Sequence, residues 1–107
     1  MSIKSLAEWQ QEIRKIGKEK GWTTKLFEKY FLFQEEIGEL TKAIRNDTGF
    51  HLEIRENDKT EHENREELVK EFADVQLYLM DLANHFGVDL EAALRYKTGI
   101  NQNREWS

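Results

Sequence analysis

The sequence predicts an all-α fold, a bundle of four helices, and three observations support this prediction. No proline interrupts the chain, and most of its six glycines fall where helices could end. Apolar side chains recur every three or four residues along four segments. The length of 107 residues suits one domain. We therefore expect residues 1–107 to form a single helical domain.

The first two helices are predicted from apolar stripes that end close to glycines. The first helix closes at Gly17 or Gly21, and its stripe consists of Ile3, Leu6, Trp9, Ile13 and Ile16. The second helix is predicted from about Thr24 to Arg45. Its stripe consists of Leu26, Tyr30, Phe33, Ile37, Leu40 and Ile44.

The third and fourth helices are predicted in the same way, from apolar residues and from residues typical of helix ends. The third is predicted from about Asn64 to Phe86, before Gly87, and its stripe consists of Leu68, Phe72, Val75, Leu79, Leu82 and Phe86. Asp89 is a good N-cap for a fourth helix that continues to Lys97.

A long polar connection joins the second helix to the third, from Asn46 to about Arg65. Residues 50–55 alternate between apolar and polar, which is typical of a half-buried strand. Connections of this length in small domains are mostly functional or disordered. A solvated loop, a short hairpin and a flap over a site all stay open.

Composition excludes several classes of protein. The net charge of −5 argues against binding bulk nucleic acid through its phosphates. Without cysteine there is no disulfide, thiolate metal site or cysteine nucleophile. No signal peptide or membrane span is recognisable, so we expect a cytoplasmic protein with no membrane partner. The hydrophobic content is modest at 38%, so we expect a homo-oligomer that shares its core between copies.

Two pairs of carboxylates stand out on the second and third helices. Glu36 and Glu39 form one pair, and Glu71 and Asp74 form the other, each with a spacing of i, i+3. At about 100° per residue, both pairs lie on the flank of an apolar stripe rather than on the fully polar side. A solvated acidic face is one explanation, and a site that binds a cation is the other.

Four carboxylates brought together would repel one another unless a cation compensates their charge. Oxygen ligands with no cysteine or histidine nearby favour Mg²⁺, with Mn²⁺ as a possible substitute, over zinc. The pattern therefore predicts a magnesium site between the second and third helices.

These residues also resemble a known family. The segment EEIGEL at residues 35–40, followed by EFAD at residues 71–74, resembles the EExxE…ExxD pattern of MazG-like nucleoside triphosphate pyrophosphohydrolases. These enzymes belong to the all-α NTP pyrophosphatase superfamily. Residues 86–94 are similar to the family's link into its last helix, and a C-terminal pattern is matched by Lys97, Asn101 and Arg104. The segment between the two motifs is longer and more polar than in many relatives.

The resemblance implies Mg²⁺-dependent hydrolysis of a (deoxy)nucleoside triphosphate to a monophosphate and pyrophosphate, as part of clearing the nucleotide pool. It implies that the metal ligands are Glu36, Glu39, Glu71 and Asp74. Substrate phosphate and sugar oxygens would contact Lys97, Asn101 and Arg104. It also implies a homo-oligomer, either a dimer or a tetramer.

Three further residues are candidates for the site. Glu35 could orient the attacking water, support a metal ligand or be plain surface. Tyr78 shares a stripe with Glu71 and Asp74, and Trp22 follows the break at Gly21, so either ring could stack on a base or belong to the core. Two other functions stay open: a catalytically silent helical module that senses nucleotides or binds a protein, and a structural bundle without a ligand.

Overall fold

The computed structural model describes residues 3–49 and 59–103, with side chains described as far as residue 100. This part of the chain forms four helices, α1 (Leu6–Lys20), α2 (Leu26–Thr48), α3 (Glu61–Phe86) and α4 (Leu90–Asn103). The predicted all-α four-helix bundle is therefore confirmed. The strand considered at residues 50–55 lies outside the described residues, and so does Arg104. None of the helices within 3–49 and 59–103 is both long and apolar enough to cross a membrane.

Capping boxes start α1 and α3. The Ser5 hydroxyl accepts from the backbone N–H of Glu8, whose carboxylate accepts from the Ser5 N–H. Thr60 and Glu63 repeat this exchange at the start of α3. The third helix therefore begins at Glu61, one turn before the predicted start, because the cap lies upstream of the apolar stripe.

The end of α1 depends on a contact with the segment that follows it. The helix runs through Gly17 and ends at Gly21, whose φ of 68° is left-handed. Trp22 folds back onto Gly17, where an added Cβ would lie 2.9 Å from the indole ring. The Trp22 N–H donates to the Gly17 carbonyl at 3.0 Å. Gly17 is therefore a packing site for the indole rather than the end of the helix.

The pair formed by α2 and α3 is the centre of the fold, with α1 packed on α3 and α4 packed on α1. The apolar core is small and consists of Ile13, Ala43, Leu68, Met80 and Ala83. Gln10 ties α1 to the start of α4, because its amide donates to Val88 O at 2.6 Å and accepts from the Leu90 N–H at 2.9 Å. A polar side chain thus joins α4 to the rest of the chain.

Much of the apolar stripes of α2 and α3 is exposed in the single chain, although Leu68 of the α3 stripe belongs to the core. Ile37 and Phe72, the centres of those stripes, are 36% and 52% exposed. The two helices instead turn their carboxylate-bearing flanks towards each other, and these flanks bury Lys29, Ala43 and Glu71. The interface between α2 and α3 is therefore where the acidic residues meet.

Candidate metal centre and substrate site

Three carboxylates converge between α2 and α3. Glu36 of α2 and Glu71 and Asp74 of α3 each offer an oxygen, and these atoms lie within 4.8 Å of one another. The i, i+3 spacing points Glu71 and Asp74 to the same side of α3, where Glu36 lies across the interface. We call these three residues the acidic cluster. The structure thus brings together three of the four predicted metal ligands.

Glu71 is the most buried member of the acidic cluster, with 9% of its surface exposed. Its Oε2 atom is buried and has no hydrogen-bond partner within the described residues. Burial raises the pKa of Glu71 to about 7, with further contributions from a hydrogen bond to Glu67 and the negative charge of Glu36. Without a compensating cation, Glu71 therefore binds a proton readily.

Burial and repulsion also act on the neighbours of Glu71. The pKa of Glu36 is raised by burial, then by the charges of Asp74 and Glu39. The pKa of the half-buried Tyr78 is raised by burial, then by the charges of Glu36 and Asp74. Tyr78 therefore lies beside the acidic cluster, as its position one turn after Asp74 predicts.

The acidic cluster fits a hard divalent cation. Within the described part of the chain, none of its three members forms an ion pair with a basic side chain. Three converging carboxylate oxygens without such a partner are a donor set suited to Mg²⁺ or Mn²⁺.

Glu39 lies next to the acidic cluster but is not part of it. Its side chain is exposed, and its charge raises the pKa of Glu36. It lines a cavity of about 400 Å³ that we call the α2–α3 cavity. The lining also includes Lys42, Asn46, Lys59, Glu67 and Glu71. Glu39 as a metal ligand therefore stays a prediction. Glu35 is exposed, and its charge contributes to the raised pKa of Glu36 and of Tyr78.

Trp22 lies in a different cavity, of about 170 Å³, at the opposite end of the α2–α3 interface. Lys29, Asp81 and His85 line the same cavity. Asp81 follows Asp74 by two helical turns, about 10 Å along α3, with Tyr78 between them. Tyr78 and Trp22 thus lie on the same side of the acidic cluster, and the α2–α3 cavity lies on the other.

Comparison with known proteins decides the family. The sequence profile of phosphoribosyl-ATP pyrophosphohydrolase matches residues 6–96. The chain belongs to this family. The family is of the all-α NTP pyrophosphatase type, so the predicted kinship with MazG-like enzymes is confirmed. Its members are divalent-metal-dependent hydrolases of phosphoanhydride bonds in nucleotides. Neither the curated proteins nor the solved structures contained a significant match.

Of the three C-terminal candidates of this pyrophosphohydrolase, only Lys97 has a side chain within the described residues. Lys97 is exposed on α4, and α4 packs on α1 of its own chain. The side chain of Asn101 lies outside the described residues, as does Arg104. The role of these three residues stays a prediction.

Sequence reasoning missed the residues of the pyrophosphohydrolase that surround Glu71 on the side of the α2–α3 cavity. Glu67 forms a hydrogen bond with Glu71, and Lys42 and Lys59 line the same space. A signal existed for Glu67, since it precedes Glu71 by one turn and shares its face of α3. No periodicity points to Lys59, which precedes the N-cap of α3.

Proposed function

We propose that this pyrophosphohydrolase hydrolyses a (deoxy)nucleoside triphosphate to a monophosphate and pyrophosphate, and that it uses Mg²⁺, with Mn²⁺ as a substitute. The convergence of Glu36, Glu71 and Asp74 within 4.8 Å is the observation that supports this proposal most directly. Membership of the family supports the class of bond that is broken. Such an activity would remove unwanted nucleotides from the pool.

The acidic cluster would hold the cation. Glu39, which lines the adjacent α2–α3 cavity, is the candidate for a further ligand. When bound, Mg²⁺ neutralises phosphate oxygens and polarises the phosphoryl group that water attacks. Glu35 is a nearby carboxylate outside this ligand set, and we assign it to orienting that water. No residue has to form a covalent intermediate, because positioning and charge compensation suffice for transfer to water.

The nucleoside part of the substrate has two aromatic candidates. Tyr78 adjoins the acidic cluster, and Trp22 lines a cavity about two turns further along α3. A triphosphate held at the acidic cluster would bring its sugar or base towards these rings. We therefore assign Tyr78 to stacking next to the phosphates, with Trp22 as the second contact.

We also propose that the active form is a homo-oligomer, a dimer or a tetramer. Several large apolar residues of α2 and α3 are exposed in the single chain, among them Phe27, Phe31, Ile37, Val69 and Phe72. The radius of gyration is 17.1 Å, against about 13 Å for a compact domain of this length. Because α4 packs on its own α1, we assign the phosphate contacts of Lys97, Asn101 and Arg104 to the site of a second copy.

Release of pyrophosphate from a panel of nucleoside triphosphates tests the proposed reaction. We expect pyrophosphate from at least one nucleotide with Mg²⁺ present, and release that is slower by about 100-fold or more from the Asp74→Asn variant. Glu66→Gln is the matched control, because Glu66 is an exposed carboxylate of α3 that pairs with His62. If no nucleotide is cleaved but Mg²⁺ and a nucleotide together raise the melting temperature, the chain is a silent nucleotide-sensing module.

A further inference from the structure

A buried ion pair lies in the wall of the cavity that contains Trp22. We call this cavity, of about 170 Å³, the Trp22 cavity. Lys29 and Asp81 line it, and their side chains are only 10% and 14% exposed. Because desolvation offsets most of the attraction within a buried ion pair, such a pair adds little net stability over apolar side chains. Two charges in the wall of an open cavity are therefore candidates for contact with a ligand.

The ion pair has hydrogen-bonding capacity to spare. Nζ of Lys29 lies 2.8 and 2.9 Å from the two oxygens of Asp81, and neither side chain makes another hydrogen bond within residues 3–49 and 59–100. An ammonium group carries three donors, and a carboxylate offers about four acceptor sites. At least one donor of Lys29 and an outer lone pair on each oxygen of Asp81 are therefore available to a molecule in the cavity.

The distance from the acidic cluster to the ion pair matches the length of a nucleotide. Asp81 follows Asp74 by seven residues, about 10 Å along α3. Tyr78 lies between them, and its pKa is raised by burial and then by the charges of Glu36, Asp74 and Asp81. In an extended nucleoside 5′-phosphate, the far edge of the base lies a comparable distance from the phosphorus atom. A triphosphate held at the acidic cluster would therefore place its base in the Trp22 cavity.

The charges around the Trp22 cavity favour one kind of base edge. Besides Lys29, the lining includes the cations Arg14 and Lys18. Among the residues that the structure describes, the single carboxylate in this lining is that of Asp81. Carbonyl oxygens are attracted by such an excess of cations, whereas the partly positive hydrogens of an amino group are repelled. Guanine, uracil and thymine present a carbonyl oxygen where adenine and cytosine present an amino group.

We propose that the Lys29–Asp81 ion pair binds the edge of the substrate base and makes this pyrophosphohydrolase prefer bases with a ring N–H next to a carbonyl oxygen. The Lys29 ammonium donates to the carbonyl oxygen, and the Asp81 carboxylate accepts from the ring N–H. The indole of Trp22 contacts the face of the same base. The inference rests on the proposed function for the position of the triphosphate.

Two matched pairs of nucleotides test the inference. Inosine and adenosine differ in carrying a carbonyl oxygen or an amino group at C6, and uridine and cytidine differ in the same way at C4. Calorimetric titration of the full chain with Mg²⁺ and the α,β-methylene analogues of the four triphosphates measures dissociation constants without turnover. We expect the wild type to bind the inosine and uridine analogues about 10- to 100-fold more tightly than the adenosine and cytidine analogues.

Variants of the ion pair show whether it causes this preference. The double variant Lys29→Met, Asp81→Leu replaces the buried charges by apolar groups and should bind both members of each pair equally. Asp81→Asn is a second variant of similar side-chain volume, and it should reduce the preference because an amide oxygen is a weaker acceptor than a carboxylate. Lys25→Met removes an exposed lysine just before α2 and should keep the preference of the wild type. Circular dichroism checks that each variant retains its helices.

The remaining outcomes separate this inference from the proposed function. Equal binding of the paired analogues by the wild type, or tighter binding of the adenosine and cytidine analogues, would overturn the inference. An undiminished preference in either variant of the ion pair that retains its helices would also overturn it. The expected preference without release of pyrophosphate from any triphosphate would refute the proposed reaction and leave the inference intact. Absence of binding by all four analogues would refute both.

Discussion

Lys29 of α2 and Asp81 of α3 form a two-point ion pair, with Nζ at 2.8 and 2.9 Å from the two carboxylate oxygens. Lys29 precedes Glu36 by seven residues, and Asp81 follows Asp74 by seven. The ion pair and the acidic cluster therefore lie on one interface, two helical turns apart. The ion pair holds the two helices in the register that the acidic cluster requires.

Removing Lys29 should strongly destabilise the chain. The two side chains are only 10% and 14% exposed, so Lys29→Met leaves the Asp81 carboxylate buried without a partner. We expect a loss of about 3–5 kcal/mol in the free energy of unfolding, measured with urea. The double variant Lys29→Met, Asp81→Leu should recover much of this loss. Lys25→Met, which removes an exposed ion pair with Glu28 at 3.9 Å, should cost less than about 1 kcal/mol. Equal losses in both single variants would contradict a special role for the buried pair.

The stability of the metal-free chain should fall with rising pH because of Glu71. Its pKa is about 7 in the folded chain and 4.5 ordinarily, so between these values the folded state binds more protons than the unfolded state. The contribution of Glu71 to stability is thus complete below pH 4.5 and is lost as the pH rises through about 7. Urea unfolding in EDTA across this range measures the effect. Glu71→Gln should flatten the dependence, and Glu66→Gln should preserve it.

Catalysis should depend on the divalent cation, on the acidic cluster and on Glu39. Excess EDTA should abolish pyrophosphate release, and Mg²⁺ or Mn²⁺ should restore it. Glu39→Gln and Asp74→Asn should each lower kcat by about 100-fold or more, whereas melting temperature without metal should hold or rise, since each change relieves repulsion. Turnover at the wild-type rate in EDTA would refute a role for the metal. A large drop in the melting temperature of either variant would instead indicate that its carboxylate stabilises the fold.

Tyr78 should affect substrate binding more than metal binding. Stacking on a base is worth about 1–3 kcal/mol, so Tyr78→Ala should raise KM by about 10- to 100-fold. Mn²⁺ affinity should stay close to that of the wild type. Tyr78→Phe should change KM little if the ring face makes the contact. If the hydroxyl makes the contact, Tyr78→Phe should raise KM about as much as Tyr78→Ala does. If Tyr78→Ala only lowers the folded fraction and KM is unchanged, the ring belongs to the core, and Trp22→Ala becomes the variant to measure.

The exposed apolar residues of α2 and α3 should be covered by other copies of the chain in solution. Light scattering at micromolar concentration should give a mass of a dimer or tetramer rather than the 12.8 kDa of one chain. Phe72→Glu, which puts a charge on the 52% exposed centre of the α3 stripe, should shift the mass towards that of one chain. Ile3→Glu is the control, because Ile3 is 95% exposed and precedes α1. A wild-type mass near 12.8 kDa would contradict the proposed oligomer.

Local signals in the sequence determined the helices and the two carboxylate pairs. The spacing of apolar residues is a property of the helix itself, and Gly21 and Gly87 end α1 and α3 through backbone conformations that glycine adopts readily. The i, i+3 spacing of Glu71 and Asp74 likewise places both on one side of α3 before any other helix is present. The sequence therefore predicted a pair of carboxylates on one side of each of these two helices.

The tertiary structure alone decided which face of α2 and α3 is buried. A helical pattern defines faces but does not define the rotation of a helix about its axis, which depends on the partner that packs against it. Here the α2–α3 interface buries Lys29 and Glu71, while Ile37 and Phe72 stay outside, because the Lys29–Asp81 ion pair and the small Ala43 allow the two helices to meet along these flanks. The same rotation leaves Glu39 beside the acidic cluster rather than in it and brings Glu67 to the cavity wall. Such relationships depend on contacts between segments far apart in the chain, which no local pattern in the sequence contains.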